Sequence, residues 1–148
     1  MCLMSQRMNV GEVAPEGYRA VLGLEKYLRH QLDSRLLDLV KLRASLLNGC
    51  AYCVDLHGGD LLKHGEDVRR VLGVGTWREF PGFDARERAA LGLTDEVTRL
   101  GEHGVSDEVW DTARAAFTDK EVADLILAIG LINLWNRIGV TTRLEPVL

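Results

Sequence analysis

The sequence predicts an all-α fold, a bundle of about six to seven helices. No run of residues shows the sustained apolar–polar alternation of a half-buried strand. Only three prolines occur in 148 residues, and apolar side chains recur at the three- and four-residue spacings that share one face of a helix. A chain of this length can bury a hydrophobic core, and we expect one domain over residues 1–148.

The first expected helix runs from Pro15 to about His30. Proline suits the first turn of a helix, where the N–H that it lacks would have no partner. Apolar side chains recur along one side of this segment and leave Arg19, Lys26 and Arg29 to face outward. The segment therefore predicts an amphipathic helix.

Two further helices are expected before residue 66. One covers residues 33–47, with Asp33 or Ser34 as its N-cap. The Asn-Gly dipeptide at 48–49 breaks the chain, and the next helix begins there. Gly65 can end that helix in a left-handed conformation.

The helical pattern continues through the second half of the chain, interrupted by an irregular, aromatic-rich stretch at 77–83. A capping residue followed three positions later by glutamate marks helix starts at Asp84 and Thr118. The helices expected in this half cover residues 66–72, 84–102, 106–117 and 118–138.

The last helix is apolar around most of its circumference. A helix of this kind is normally buried on all sides. Two interpretations remain open, a central core helix in a monomer or a helix that also faces another subunit. The apolar positions are Val122, Leu125, Ile126, Leu127, Ile129, Leu131, Ile132, Leu134, Trp135 and Ile138.

Charge and hydropathy exclude several classes of partner. The net charge is -4, from 18 basic and 22 acidic residues, and no block of like charge stands out. We therefore expect neither nucleic acid nor membrane as a partner. The start of the chain lacks the pattern of a signal peptide. The most apolar run, 125–132, is far shorter than the roughly 20 residues that span a bilayer. We expect a cytoplasmic protein.

Two thiols and an imidazole form the most informative motif, Cys50-x-x-Cys53-x-x-x-His57. On a helix, Cys53 and His57 both fall within roughly 60° of Cys50, because each residue advances about 100°. The thiols would lie in the first turn, where free N–H groups and the helix dipole stabilise a thiolate. In a reducing compartment such a pair is more often catalytic or metal-binding than structural. Cys2 is assigned no role.

The sequence around this motif resembles the carboxymuconolactone decarboxylase-like superfamily and fits its alkylhydroperoxidase D-type branch best. The resemblance is carried by residues 39–45, 48–55 and His57, and it extends to 84–94 and 132–137. It implies an all-helical fold and a homo-oligomer, a trimer or hexamer. It also implies a hydroperoxide substrate, because several members of the family reduce organic hydroperoxides through the Cys pair.

The resemblance also implies a carboxylate partner for the imidazole. In the family a glutamate twelve residues before the first cysteine begins a proton relay, and that position is Asp38 here, one methylene shorter. The best-studied members place a histidine immediately before the second cysteine, where this chain has Tyr52. The resemblance therefore supports Cys50, Cys53 and His57 directly and Asp38 by position.

The expected chemistry is that of a thiol peroxidase without a cofactor or metal. A thiol of ordinary pKa, near 8.5, is mostly protonated at neutral pH. His57 can accept the proton of Cys53, and Asp38 can orient the imidazolium. Peroxide would convert Cys53 to a sulfenic acid, Cys50 would resolve it to a disulfide, and an external dithiol or thiol-protein reductant would restore both thiols.

Blander interpretations of the same residues remain open. The cysteines could be inert and buried. A zinc site of Cys50, Cys53 and His57 would need a further ligand, such as His30 or His103. Asp38 could form a solvated ion pair with its helix neighbours, Lys41 or Arg35. Without such a zinc site, His30, His64 and His103 are expected to be surface residues.

Two other functions also remain open. The chain could be a non-enzymatic helical oligomer that binds a partner. It could also be a decarboxylase or lactone-processing enzyme like the member that names the superfamily, but that branch characteristically lacks the Cys pair.

Overall fold

The computed structural model describes residues 5–148, and in this range the chain forms eight α-helices and no strand. Cys2 lies outside the described residues. The all-α prediction is confirmed. The helices are α1 (Val10–Val13), α2 (Pro15–Gln31), α3 (Ser34–Asn48), α4 (Ala51–Lys63), α5 (Val68–Gly73), α6 (Ala85–Thr98), α7 (Asp107–Ala116) and α8 (Asp119–Thr142), with a 3₁₀ turn at Val74–Thr76.

The helix starts follow the capping residues that the sequence offers. The side chains of Asp33, Asp84 and Thr118 each accept a backbone N–H of the following first turn. Asp84 and Thr118 form complete capping boxes, as their sequence pattern predicts. Each box satisfies backbone groups that a helix start would otherwise leave without a partner.

The structure differs from the expected boundaries by more than two residues at three places. The four-residue helix α1 is additional and too short to show a periodicity. Helix α6 ends at Thr98 rather than near residue 102, because Arg99 already leaves the helical conformation. Gly101 and Gly104 then turn the chain with φ of 58° and 65°. Helix α8 continues beyond residue 138 to Thr142, so its last turn reaches the candidate site described below.

Helices α3 and α8 form the centre of the fold. Helix α8 packs against α2, α3, α4, α6 and α7, and α3 packs against α4, α6 and α8. The main core contains buried residues of α2, α3, α6 and α8. A second, smaller cluster places Trp77 and Phe83 from the irregular stretch against α3, α4 and α6.

Helix α8 is buried on one side and exposed on the other. Val122, Leu125 and Ile129 lie in the core. The exposed α8 face consists of the large apolar residues that are 40% to 50% exposed, Ile126, Leu127, Leu134 and Val140. The first of the two interpretations, a core helix enclosed on all sides within one copy, therefore does not describe this face.

By length and composition α8 could cross a membrane, since it has 24 residues and a mean hydropathy of 1.4 in its most apolar window. The sequence-based expectation that no segment is long enough is therefore wrong. The helix nevertheless supplies residues to the main core, among them Leu125 and Ile129, and 44% of that window is buried inside the fold. Its buried residues include the polar side chains of Asp124 and Asn136.

A buried polar network joins α3 to α8 just before the motif. The Asn136 amide donates to Ser45 Oγ at 2.9 Å, and the Asn48 amide donates to Asn136 Oδ1 at 2.9 Å. The carbonyl of Ser45 accepts the backbone N–H of Cys50 at 3.1 Å. The network therefore fixes the end of α3, and with it the place where the cysteine helix begins.

Candidate active site

A sharp turn between α3 and α4 positions the two cysteines. Gly49 ends α3 with φ of 68°, a left-handed conformation that glycine adopts without strain. Cys50 is the N-cap of α4, and its Sγ accepts the backbone N–H of Cys53 at 3.3 Å. Cys50 therefore precedes the first turn and Cys53 lies within it, close to the predicted placement.

Cys50 and Cys53 are joined by a disulfide, with their Cα atoms 5.3 Å apart. Both residues are buried, with 1% and 4% of their surface exposed. They pack with Ala44 on α3 and Ile132 on α8. The two sulfur atoms are thus placed so that they can form a disulfide, which a redox-active dithiol requires. The pair is also shielded from bulk solvent.

His57 lies one helical turn after Cys53 on α4 and is only 5% exposed. Its Nδ1 atom is 3.4 Å from Oδ1 of Asp38 on α3. No hydrogen bond within the described residues satisfies this Nδ1 or Asp38 Oδ2. The structure therefore brings the predicted histidine and carboxylate together, although the shorter aspartate arm leaves them at the edge of hydrogen-bond distance.

Asp38 is fully buried and held by a cation from another helix. Nη2 of Arg29 on α2 donates to its Oδ1 at 2.8 Å, and Nε2 of His64 lies 3.5 Å from its Oδ2. Burial alone would raise the pKa of Asp38, but the interactions with His57 and Arg29 outweigh it and lower the pKa below its usual value. Asp38 is therefore a carboxylate at neutral pH.

The alternative of a solvated ion pair between Asp38 and its helix neighbours is wrong. Lys41 pairs instead with Glu25, and Arg35 donates to the carbonyl of His64 at 2.6 Å. The expectation that Arg29 faces outward is also wrong, because it bonds both Asp38 and Glu25. Sequence spacing shows only neighbours on one helix, whereas the partners here come from α2 packed against α3.

Glu25 and Lys41 extend this charged network beneath the site. Lys41 is fully buried, and burial lowers its pKa. Burial alone would raise the pKa of Glu25, but its hydrogen bonds with Lys41 and Trp135 lower it below the usual value. Sequence reasoning missed these residues. A signal was present, since Lys41 interrupts the apolar run 39–42 and a lysine inside such a run needs a charged partner.

A cavity of about 510 Å³ opens in front of the cysteines. Cys53 and His57 line it, whereas Cys50 does not. Glu25, Arg29 and Asp60 contribute its charged groups. Its apolar and aromatic wall comes from α2, α4 and α8, and includes Tyr18, Leu22, Tyr52, Leu56, Trp135 and Ile138.

The N-terminal segment forms one side of this cavity. Residues 6 and 8–11 line it, and the backbone N–H of Arg7 donates to the carbonyl of Thr142 at 2.8 Å. This hydrogen bond fastens the segment to the last turn of α8. The cavity is thus built from both ends of the described chain.

Among the described residues, one group of side chains is close enough together to hold a metal ion. It consists of Asp38, His57 and Asp60, whose ligand atoms lie within 4.8 Å of one another. This group contains no cysteine, so neither His30 nor His103 completes a zinc site with Cys50 and Cys53. The guanidinium of Arg29 already supplies a positive charge to Asp38 at 2.8 Å. A cation at this group would be repelled by that guanidinium.

Comparison with known proteins identifies the family. The sequence profile of the Carboxymuconolactone decarboxylase family matches residues 15–96. The chain belongs to this family. Its all-helical fold and the joined pair Cys50–Cys53 fit the alkylhydroperoxidase D-type branch.

The chain is similar to proteins along nearly its whole length. It is 37% identical over 138 residues to the uncharacterized protein YdfG of Bacillus subtilis (strain 168), with 93% of this chain and 94% of that protein covered. A crystal structure from Agrobacterium tumefaciens has a TM-score of 0.94 and 40% identity, with 97% and 99% covered. That protein is of unknown function and has been suggested to be the antioxidant defence protein AhpD.

The same fold also supports other chemistry. The debrominase Bmp8, solved with 2,3,4-tribromopyrrole, has a TM-score of 0.80 at 16% identity, with 89% of this chain and 71% of that chain covered. At this identity the likeness shows the fold alone. The fold therefore occurs in an enzyme, and the reaction has to be argued from the site of this chain.

Proposed function

We propose that the chain is a thiol peroxidase that reduces hydroperoxides through Cys53 and Cys50. The observation that carries the proposal is that only one of the two joined cysteines lines the cavity. Cys53 and His57 line the cavity, whereas Cys50 is joined to Cys53 but does not line it. A substrate in the cavity can therefore reach one sulfur, and the other is placed to act afterwards.

In the first step the Cys53 thiolate attacks the terminal oxygen of a hydroperoxide. The O–O bond breaks, Cys53 is oxidised to a sulfenic acid, and an alkoxide leaves. His57 accepts the thiol proton before the attack and returns it to the alkoxide, which leaves as an alcohol. Asp38, ionised and buried, stabilises the positive charge that His57 carries between these two transfers.

In the second step the Cys50 thiol attacks the sulfenic sulfur of Cys53. The S–S bond forms, the S–O bond breaks, and hydroxide leaves with the thiol proton as water. Because Cys50 is close to Cys53, the sulfenic acid is converted to a disulfide before a second peroxide oxidises it further. An external dithiol or thiol-protein reductant then reduces the disulfide and is itself oxidised.

We also propose that the protein acts as a cytoplasmic homo-oligomer. The exposed α8 face supports the homo-oligomer, because large apolar side chains on a surface are typical of an interface. A trimer or hexamer would bury the α8 face of each copy against another copy.

Mass spectrometry of alkylated thiols tests the proposed reaction. One equivalent of a hydroperoxide should remove the Cys50 and Cys53 thiols, and a dithiol should restore both. The Cys53→Ser variant should consume no peroxide. The Cys50→Ser variant should form a sulfenic acid that a dimedone-type probe traps, but it should not turn over.

Three outcomes would contradict the proposal. Retained activity in Cys53→Ser, with labelling of Cys50, would reverse the two roles. Loss of the Cys2 thiol alone would refute the redox reaction. Unchanged thiols at full peroxide exposure would favour a non-enzymatic oligomer or an enzyme of the decarboxylase type.

A further inference from the structure

The two sulfur atoms lie against the backbone of α8 at Gly139. A Cβ atom added there would lie 2.9 Å from Cys50 Sγ and 3.7 Å from Cys53 Sγ. Carbon atoms normally meet at about 3.5–4.0 Å, and sulfur is larger than carbon. The shorter distance is therefore a clash, so the absence of a side chain at 139 leaves the space that the disulfide occupies.

The backbone itself does not require glycine at this position. Gly139 lies within α8, and the glycines with positive φ in the described residues are 49, 65, 101 and 104. Glycine in a helix interior is less favourable than alanine. Backbone conformation therefore does not explain the glycine at position 139. The close approach of Cys50 Sγ to the place where a side chain would begin does explain it.

The clash depends on the redox state of the cysteines. In the disulfide, Cys50 Sγ is held by its bond to Cys53 and is buried, so it cannot move away from a methyl group at 139. In the dithiol, the S–S bond no longer fixes the χ1 angle of Cys50, so its Sγ can turn towards another staggered rotamer. A methyl group at 139 therefore disfavours the disulfide more than the dithiol.

We propose that Gly139 is a positioning residue for disulfide formation, which keeps open the space where Cys50 and Cys53 join. In the proposed reaction Cys50 must reach the sulfenic sulfur of Cys53, form the S–S bond and release water. A side chain at 139 slows this step and leaves the sulfenic acid in place for longer. The kinetic part of the inference rests on the proposed function, whereas the effect on the dithiol–disulfide equilibrium does not.

The equilibrium test compares the Gly139→Ala variant with the wild type and with a control variant, Gly23→Ala. Gly23 also lies inside a helix, and a Cβ there meets nothing within 4 Å. Each protein is equilibrated without peroxide in dithiothreitol buffers of defined redox ratio, and the disulfide fraction is measured by alkylation and mass spectrometry. We expect Gly139→Ala to shift the equilibrium towards the dithiol by about tenfold or more, the size expected for one overpacked methyl group.

Gly23→Ala should match the wild type in this experiment. Equal disulfide fractions in Gly139→Ala and Gly23→Ala would overturn the proposal. Because no peroxide is present, this result does not depend on whether the protein is a peroxidase. With peroxide, dimedone-type trapping of Cys53 should increase in Gly139→Ala relative to Gly23→Ala.

A second comparison keeps the proposal testable if Gly139→Ala folds poorly. In the Cys50→Ala background the clashing sulfur is absent, so adding Gly139→Ala should cost little stability. Thermal unfolding should then show a smaller decrease than the same change causes in the oxidised wild type. An equal decrease in both backgrounds would mean that Gly139 is needed for another contact, and the proposal would be wrong.

Discussion

The Nδ1 atom of His57 lies 3.4 Å from Oδ1 of Asp38, in a site where both side chains are buried. The same carboxylate oxygen accepts a 2.8 Å hydrogen bond from Arg29. Arg29 thus holds Asp38 in place while His57 stays at the edge of hydrogen-bond distance. Catalytic hydrogen bonds are often long in the absence of substrate and tighten in the reacting complex, so a small movement would complete this contact.

Substitution of Asp38 tests this relationship. Asp38→Asn removes the charge that favours imidazolium, so Cys53 should need a higher pH to react, and its rate with peroxide at neutral pH should fall roughly tenfold, about 1.4 kcal/mol of barrier. Asp38→Glu restores the arm length found in the family and should keep or increase the rate. The measurement is thiol alkylation against pH. Identical profiles for the three proteins would leave His57 to act without the carboxylate.

The Glu25–Lys41 pair should contribute to stability rather than directly to chemistry. Glu25→Gln leaves the fully buried Lys41 without its charged partner, which should lower the free energy of unfolding by about 3 kcal/mol. Adding Lys41→Met removes the unpaired charge, so the double variant should regain most of that loss. Urea unfolding measures both. A double variant no more stable than Glu25→Gln would contradict this explanation.

Acid should destabilise the protein through three carboxylates. Asp38, Glu25 and Asp95 all have pKa values lowered below the usual range by their hydrogen bonds and cations, against the opposing effect of burial. A lowered folded-state pKa adds stability that is present above the unfolded pKa, about 3.9–4.3. This stability is lost as pH falls through the folded values. The contribution of these carboxylates to the unfolding free energy should therefore be nearly constant down to about pH 5, roughly one unit above those values, and should fall below about pH 4.

Asp95 provides the matched control for this acid effect, because it does not line the cavity. It bonds Arg43, Arg78 and Trp77. Asp95→Asn should lower stability at neutral pH and flatten the acid decrease, while leaving the alkylation profile of Cys53 unchanged. An acid decrease as steep as that of the wild type would show that Asp95 does not take part in it.

The exposed α8 face should hold copies of the chain together. Light scattering of the wild type should give several times the 16.5 kDa of one chain. The substitutions Leu127→Glu and Leu134→Glu would each bury an unpaired charge in the interface. They should therefore reduce the measured particle mass towards that of one chain. Leu72→Glu changes an exposed leucine on α5 and should not. A wild-type monomer at micromolar concentration would contradict the proposal.

Local signals in the sequence predicted most of the helices, because capping and breaking residues act within a few positions. Thr118 and Asp84 start helices as expected, and Gly49 ends one. The motif spacing placed Cys53 and His57 on one helix. The family resemblance, whose glutamate lies twelve residues before the first cysteine, pointed to Asp38. The geometry confirms that these residues lie together, while their chemical roles stay predictions.

The sequence did not reveal which residues surround Asp38. Arg29 and Glu25 are charged residues on an amphipathic helix, a pattern that is equally typical of a solvated face. Only the packing of α2 on α3 turns them towards the site. Likewise, nothing in the sequence indicates that Gly139, far along the chain, meets the sulfur of Cys50, because such a contact depends on how α8 crosses the start of α4.

The hydrogen bond from Arg7 to Thr142 has a practical consequence for handling the protein. It fastens the N-terminal segment along one side of the cavity, so an affinity tag fused ahead of residue 5 would be tethered beside the cavity mouth. Val147 and Leu148 at the other end are fully exposed. Leu144, only a few residues before them, also lines the cavity, so a tag at either end should be cleavable and removed before assays, to keep it from obstructing substrate or reductant.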